Sequence, residues 1–427
     1  MNVHTTSEER NQRRQRMLEE YGIAHPSRQE VEYADCAGER AYEAALRCPQ
    51  GRVAPPGRFD DLKLAVEALS GGANTVLLDD IGMPSIMVAL PWMRNADLYE
   101  GGDEGLHPAW IACGKPQKVL YVSKYMNMVE NQRAYSLPMR EPYSFVTFDE
   151  ANRFCLNKGR GWHLMTNSQW AAIAAWCRKN KTLPRGNTGS RGEDWQHPHL
   201  KAVPARPYYG QELTLTGSGP VQFQHNHQAS GICDLVGNMF EWVGGLRLVD
   251  GEIQIMPDGY AAAYSDEAFR ADSHHWRGIT AKGELAAHGE RDTLKLDGSV
   301  PGDSEERDHL LEKGRPILRT QLQNRSYLGP DRQGNQGYTE CFFADLEAEE
   351  SLAVPPLLRQ LEIFPDQACR REDGILVVRN YGERIAVRGG KAGSFERAGI
   401  SALHFYNPRT YDGSATIGFR CAYVGLE

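Results

Sequence analysis

Two stretches decide the fold of this chain: Gly237-Asn238-Met239-Phe240-Glu241-Trp242, and the frame Arg388-Gly389-Gly390 followed about thirty residues later by Gly418-Phe419-Arg420-Cys421-Ala422. Paired glycines allow a positive φ or a close backbone approach. Trp242 and Phe419 can each bury roughly 150–250 Å2. Glu241 and Arg420 are the opposite charges expected to meet as a buried, hydrogen-bonded pair. These residues are therefore read as architecture, not chemistry.

Working outward, two helices have complete start signals. Thr147-Phe148-Asp149-Glu150 and Thr166-Asn167-Ser168-Gln169 are capping boxes, in which a hydroxyl covers an orphan N–H and the residue three further on reaches back. The first helix is expected to run to Gly159, and the second carries Trp170, Ile173, Ala174 and Cys177 on one face. Both read as scaffold. Val76-Leu77-Leu78 and Ser85 to Leu90 read as strands about the turn Gly82-Met83-Pro84, and Val119 to Tyr125 as another. Residues 1–72 differ in texture: Glu8 to Tyr21 and Phe59 to Leu69 look helical, with a Pro-rich break between and Gly71-Gly72 as a terminator. A domain boundary is placed near 72, and residues 1–72 are read as a helical attachment or oligomerisation segment. The stretch 250–375, with polar loops and a Leu-rich helix candidate at Pro355 to Leu361, reads as an insertion into the domain 73–427.

Bulk properties narrow the function. With 427 residues, 41% hydrophobic and 24% charged, the composition is globular. The net charge of −8 argues against nucleic acid as a general partner. The one basic run, Arg10 to Arg16, sits in a Glu-containing helical stretch and reads as a solvated face. No apolar run suits a membrane span, and the polar start carries no signal peptide, so cytoplasmic synthesis is expected, with display on a virion as a further stage. Nine scattered cysteines contain no C-x-x-C pair, so neither a zinc knuckle nor a disulfide framework is expected. Cys155 and Cys177 read as small buried hydrophobes. His225-Asn226-His227 and His274-His275 lack a third ligand at metal-binding spacing and read as loop histidines.

The two opening stretches together resemble the G-N-x-x-E-W signature and R-G-G…G-F-R frame of the formylglycine-generating-enzyme family. That resemblance implies an α+β C-type lectin fold with a long insertion and a small helical N-terminal segment. A closer series resembles the variable proteins of diversity-generating retroelements: His107-Pro108-Ala109-Trp110, Ser123-Lys124-Tyr125, Ala134 to Pro138, Gly161 to Asn167 and Pro184-Arg185-Gly186-Asn187. Such proteins hold a fixed scaffold and a mutable ligand-binding face, rewritten by an error-prone reverse transcriptase, and several are phage receptor binders. The superfamily's oxidase uses two cysteines just beyond the R-G-G frame to bind copper. Those positions fall on Ser394 and Gly399, and a hard hydroxyl does not replace a soft thiolate there. The iron-dependent sulfoxide synthases draw histidines from an added helical bundle, whereas residues 1–70 hold only His4 and His25. No cofactor, metal or catalytic residue is therefore assigned.

A retroelement that mutates adenines in Asn codons cannot reach Lys, Glu, Gln, Met or Trp. Between Gly393 and Thr416 only Glu396 belongs to that set. The expected variable region is 388–422. Its binding surface is assigned to Gly393, Ser394, Arg397, His404, Tyr406, Asn407, Tyr411, Asp412 and Gly413. Strand alternation puts Leu403 and Phe405 inward and His404 and Tyr406 outward. Aromatic, cationic and small polar side chains suit a binding face. The expected partner is a protein or glycan on a host or target cell surface. A divergent metal-dependent oxidase and a structural phage component are the alternatives.

Overall fold

The computed structural model describes residues 57–208, 210–262, 265–298, 314–324, 338–412 and 414–425. The expected helix Glu8 to Tyr21 and the basic run within it lie outside them, as does Gly413. Helix α1 (Asp60–Ser70) ends as expected, with Gly71 at φ 61° donating its N–H back to the last turn. Its inner side meets β1 (Asn74–Leu78), where the Ser70 hydroxyl accepts the Asn74 N–H at 2.9 Å. The boundary near 72 is thus a tight corner.

Strand β1 pairs antiparallel with β2 (Pro84–Pro91) about the expected turn, and β2 with β3 (Val119–Ser123). Both capping boxes form. Thr147 starts α2 (Phe148–Leu156) and Thr166 starts α3 (Asn167–Asn180), each hydroxyl accepting the N–H three residues on. Strand β4 (Trp162–Leu164) joins the two helices. Buried Phe148, Ala151, Phe154 and Cys155 put one side of α2 on the core, and the Trp170 face of α3 is buried likewise.

The second, larger sheet gathers twelve strands among the described residues. At its centre β5 (Phe240–Val249) pairs antiparallel with β12 (Glu383–Arg388) and parallel with β14 (Ile417–Phe419). The stretch 250–375 forms no separate layer. From β5 it adds β6 (Glu252–Ile255), β7 (Lys295–Gly298), β8 (Pro316–Arg319) and β10 (Glu347–Ala348) to one flank. On the other flank it supplies β9 (Thr339–Phe342), which pairs with β11 (Ile375–Val378), itself beside β13 (Leu403–Phe405). The sheet curls until β8 comes alongside β9 and β11. The Leu-rich candidate is a short helix, α4 (Pro356–Gln360), with proline in its first turn and Leu358 buried. The architecture is α+β: helices lean on two sheets, and no helix among the described residues is long and apolar enough to cross a membrane.

Arg420 holds the sheets together. It lies between β14 and the last strand, β15 (Cys421–Tyr423), where the chain leaves the large sheet for the small one. Strand β15 slots between β3 and β4. The guanidinium donates to both Glu241 carboxylate oxygens, at 2.6 and 2.5 Å, and to the carbonyls of Ser123 and Cys233, each at 3.1 Å. Both residues are fully buried. A two-pronged pair satisfies the planar fork and the carboxylate at once, which is what a buried charge requires. Removing one partner strands the other charge, so Glu241→Ala and Arg420→Ala are each expected to cost about 3–5 kcal/mol of unfolding free energy. Denaturant titration checks this; a loss near 1 kcal/mol, ordinary for a single mutation, would show that the pair is dispensable.

Candidate functional site

Beyond β12 the chain enters the expected frame. Gly389 and Gly390 have φ of 88° and 85°. A Cβ on Gly389 would meet the Leu235 carbonyl oxygen at 2.4 Å, and one on Gly390 the Ala398 Cβ at 2.5 Å. Arg388 is fully buried and donates to the Asn167 side-chain oxygen at 3.0 and 2.6 Å and to the Glu362 carbonyl at 2.9 Å. The first motif serves the same end. Asn238, at φ 58°, accepts the Thr214 N–H at 2.8 Å, and its amide donates back to the Thr214 carbonyl at 3.1 Å. The Trp242 indole donates to the Val146 carbonyl at 3.0 Å.

The segment between the frame elements is clipped down at intervals. The Gly393 N–H donates to the Gly189 carbonyl at 2.7 Å and the Phe395 N–H to that of Thr188 at 2.9 Å. Gly393 is a fitted position through its backbone, whose φ of 72° an L side chain adopts only with strain. Ser394 is buried and its hydroxyl accepts the Lys391 N–H at 3.1 Å. Asn407 is buried too, its carbonyl accepting the Ile385 N–H at 2.9 Å. These three positions are corrections to the expected display surface, because each is committed to the segment's own seating.

Strand parity places Leu403 and Phe405 in the core as expected. His404 points away from the core, as strand parity expects, and is half-buried rather than open. In register, His404 sits between Val377 and Val387, and the Phe240 ring packs 4.5 Å from its imidazole. Its Nε2 is out of solvent's reach and has no hydrogen-bond partner among the described residues. Tyr406 is half-buried, with the Arg379 guanidinium 3.3 Å over its ring and Tyr338 edge-on at 5.5 Å. Arg397 pairs with the wholly buried Glu340 carboxylate and keeps 29% of its side chain exposed. Tyr411 and Asp412 are half-buried, Tyr411 lying against the core cluster that contains Trp242 and Phe419. The structure thus brings Arg397, His404 and Tyr406 to one face of the sheet and leaves part of each, and of Tyr411 and Asp412, accessible.

Sequence reasoning missed three features. Phe395 is 43% exposed and holds φ of 50°, a left-handed conformation costing an L side chain roughly 1–2 kcal/mol. Arg409 is a structural anchor, donating to Glu383 at 2.6 and 2.8 Å and to Asp149 at 3.0 Å. A cleft of about 260 Å3 opens beside Glu396, Ala398, Gly399 and Ile400, walled by Trp195 and floored by Leu183 and Val236. No local pattern announces any of them.

A possible metal cluster proves to be an ion-pair centre. Glu362, Asp366 and Cys369 converge, but the Arg178 guanidinium pairs with Glu362 and stands 3.6 Å from Asp366. Burial pushes the Cys369 thiol up to about 12. The histidines at 225 and 227 are engaged with the backbone: His225 Nδ1 accepts the Ile232 N–H at 2.8 Å, and His227 Nε2 lies 3.0 Å from the Leu183 carbonyl.

Burial, helped by the positive charges of Arg397 and Lys391, lowers the His404 pKa from 6.5 to about 3. A folded value below the unfolded one means the unfolded chain binds the extra proton. The stabilisation is complete above pH 6.5 and is lost as pH falls from there towards 3. Between pH 6.5 and 4, His404→Gln is expected to flatten the dependence of unfolding free energy on pH by up to about 1.4 kcal/mol per pH unit. Denaturant titrations at several pH values check this, and parallel wild-type and variant curves would mean that His404 protonates freely in the fold.

Residues 97–251 match the family described as the sulfatase-modifying factor enzyme 1-like domain. No curated protein matches the chain. The matched span runs through both capped helices and all of β5, and ends before the Arg388 frame. Over that span the scaffold is similar to a sulfatase-modifying factor enzyme 1-like domain.

Proposed function

We propose that this chain is a non-enzymatic ligand-binding display protein on a C-type lectin fold of the formylglycine-generating-enzyme type. Its C-terminal segment is diversified by a retroelement. The display surface is narrower than the sequence suggests: Phe395, Glu396 and Arg397 at the edge of the cleft at Trp195, together with Tyr406, Tyr411 and Asp412 further along the segment. Its partner is a protein or glycan on a host or target cell, met from a particle such as a phage tail.

One observation carries the non-enzymatic part. At Gly399, where the superfamily's oxidase has its second thiol, an added Cβ would fall 2.1 Å from the Asp373 carbonyl carbon and 2.2 Å from its oxygen. Contacts that short with backbone force a rearrangement, so this site is shaped around the lack of a side chain. The first thiol position, Ser394, spends its hydroxyl on the Lys391 N–H. The divergent oxidase is the second reading, favoured by the family match over 97–251.

The physical division between frame and surface supports diversification. Arg388 and Arg420 are wholly buried, whereas Phe395 and Glu396 are exposed. Substitutions at exposed positions away from caps and cores usually stay within about 0.5 kcal/mol. Sequencing the 3′ end of the gene across a population is expected to show changes at 395, 397, 406, 411 and 412. None is expected at 388–390, 393, 409 or 420, and a near-copy of the segment, Asn-rich in translation, should lie beside a reverse transcriptase gene. An invariant 3′ end would remove the retroelement from the reading. Stoichiometric copper or iron on the purified protein would replace the binder with the oxidase.

A further inference from the structure

We infer that the cleft between Trp195 and residues 396–400 takes an organic cation, the ammonium or guanidinium of a basic side chain on a protein ligand. The inference rests on the binding reading above and names the chemistry that its cleft selects.

The argument is one of committed and uncommitted charge. Two arginines border the cleft, and both are occupied. Arg185 donates to the Gln196 side chain at 2.6 Å and stands 3.9 Å from Asp194, and Arg371 pairs with Asp345 at 2.8 Å. Four acids border it as well: Asp194, already faced by Arg185 and His197, and Glu372, Asp373 and Glu396. Glu372 and Glu396 are exposed, and neither has an ion-pair partner among the described residues. Asp373 is 1% exposed, and its Oδ1 is buried with no hydrogen-bond partner among them. Its nearest cation, Arg178, lies 4.0 Å away and is shared with Glu362 and Asp366. Three carboxylates around one guanidinium leave the ground beneath the cleft negative. Low-dielectric walls concentrate such a field.

Shape and lining say which kind of cation. Clefts for drug-sized ligands run about 300–1,000 Å3, and this one is about 260 Å3, suited to a single side chain. Leu183, Val236 and Ile400 give an apolar floor for an aliphatic stem. Trp195, 38% exposed, offers a ring of the type that best attracts cations. A bare metal ion would gain nothing from that floor and wall; a lysine or arginine side chain uses both.

The test is calorimetric titration of the full chain with N-acetyl-arginine methylamide and N-acetyl-lysine methylamide, against the neutral N-acetyl-glutamine methylamide. Saturable binding in the millimolar range is expected for the cations, with the neutral compound about tenfold weaker or worse. Added salt should weaken the cations alone. A Glu372→Gln, Glu396→Gln double variant changes only exposed groups, so its melting temperature should hold while affinity falls about fivefold. Trp195→Ala should lower affinity at unchanged salt dependence. The inference is overturned by absent saturation at about 10 mM, by equal binding of the neutral compound, or by a double variant that binds like wild type. Cation binding alongside an invariant 3′ end would leave this inference standing while diversification fell; a variable 3′ end with no cation binding would do the reverse.

Discussion

The Arg420–Glu241 pair is the interaction on which the rest of the structure depends. Its two residues lie 179 positions apart in the chain. The guanidinium is shared among the large sheet, the Ser123 carbonyl on the small sheet and the Cys233 carbonyl of a loop. Desolvating two charges is unfavourable, and only a fully satisfied geometry offsets it. That condition leaves β5, β14 and β3 one mutual arrangement. Burial pushes the Glu241 carboxyl pKa up while Arg420 opposes the shift, so the pair is held by its partner and not by solvent. A hydrophobic substitute could fill the volume without fixing three elements at once.

Arg388 repeats this logic one strand away. In register it faces Glu241 across β5 and β12, yet its hydrogen bonds go elsewhere, to Asn167 at the start of α3 and to the Glu362 carbonyl after α4. The two arginines thus clamp both ends of the segment they enclose. Between them the chain is free to carry side chains whose identity the fold does not require, provided the glycines that touch backbone remain. This is how one short segment can be rigid in path and permissive in content.

Much of the fold was legible because its signals are local or carried by unmistakable residue types. The capping boxes at Thr147 and Thr166, the Gly71 terminator and the Glu241–Arg420 pairing follow from side-chain chemistry at short spacing or from charges that must not be left alone. What was not legible depended on distant partners. Strand alternation correctly separated His404 from Leu403 and Phe405, but it could not say that Phe240, 164 positions earlier, packs against the His404 ring. Short strands such as Glu252–Ile255 and Pro316–Arg319 carry little periodicity of their own, so the stretch 250–375 reads as an insertion while its strands extend the central sheet. The left-handed backbone at Phe395 has no glycine or asparagine to announce it.

The composition of the segment and its burial pattern must also be reconciled. Chemistry alone makes Gly393, Ser394 and Asn407 look as changeable as Tyr411, since all are small, polar or aromatic. The fold sorts them differently: Gly393 holds φ of 72°, the Ser394 hydroxyl caps its own turn, and Asn407 lies in the core layer. Arg409 joins them, because its guanidinium ties the segment to Glu383 on β12 and Asp149 on α2. A diversified face on this scaffold must therefore be discontinuous, with fixed seats between mutable positions. Its fixed parts lie where the chain is clipped to the scaffold, and exposed Phe395 and Glu396 stand at the edge of the cleft. Glu372 and Asp373 lie outside the segment between Arg388 and Arg420, so their place in the cleft does not depend on which side chains that segment carries.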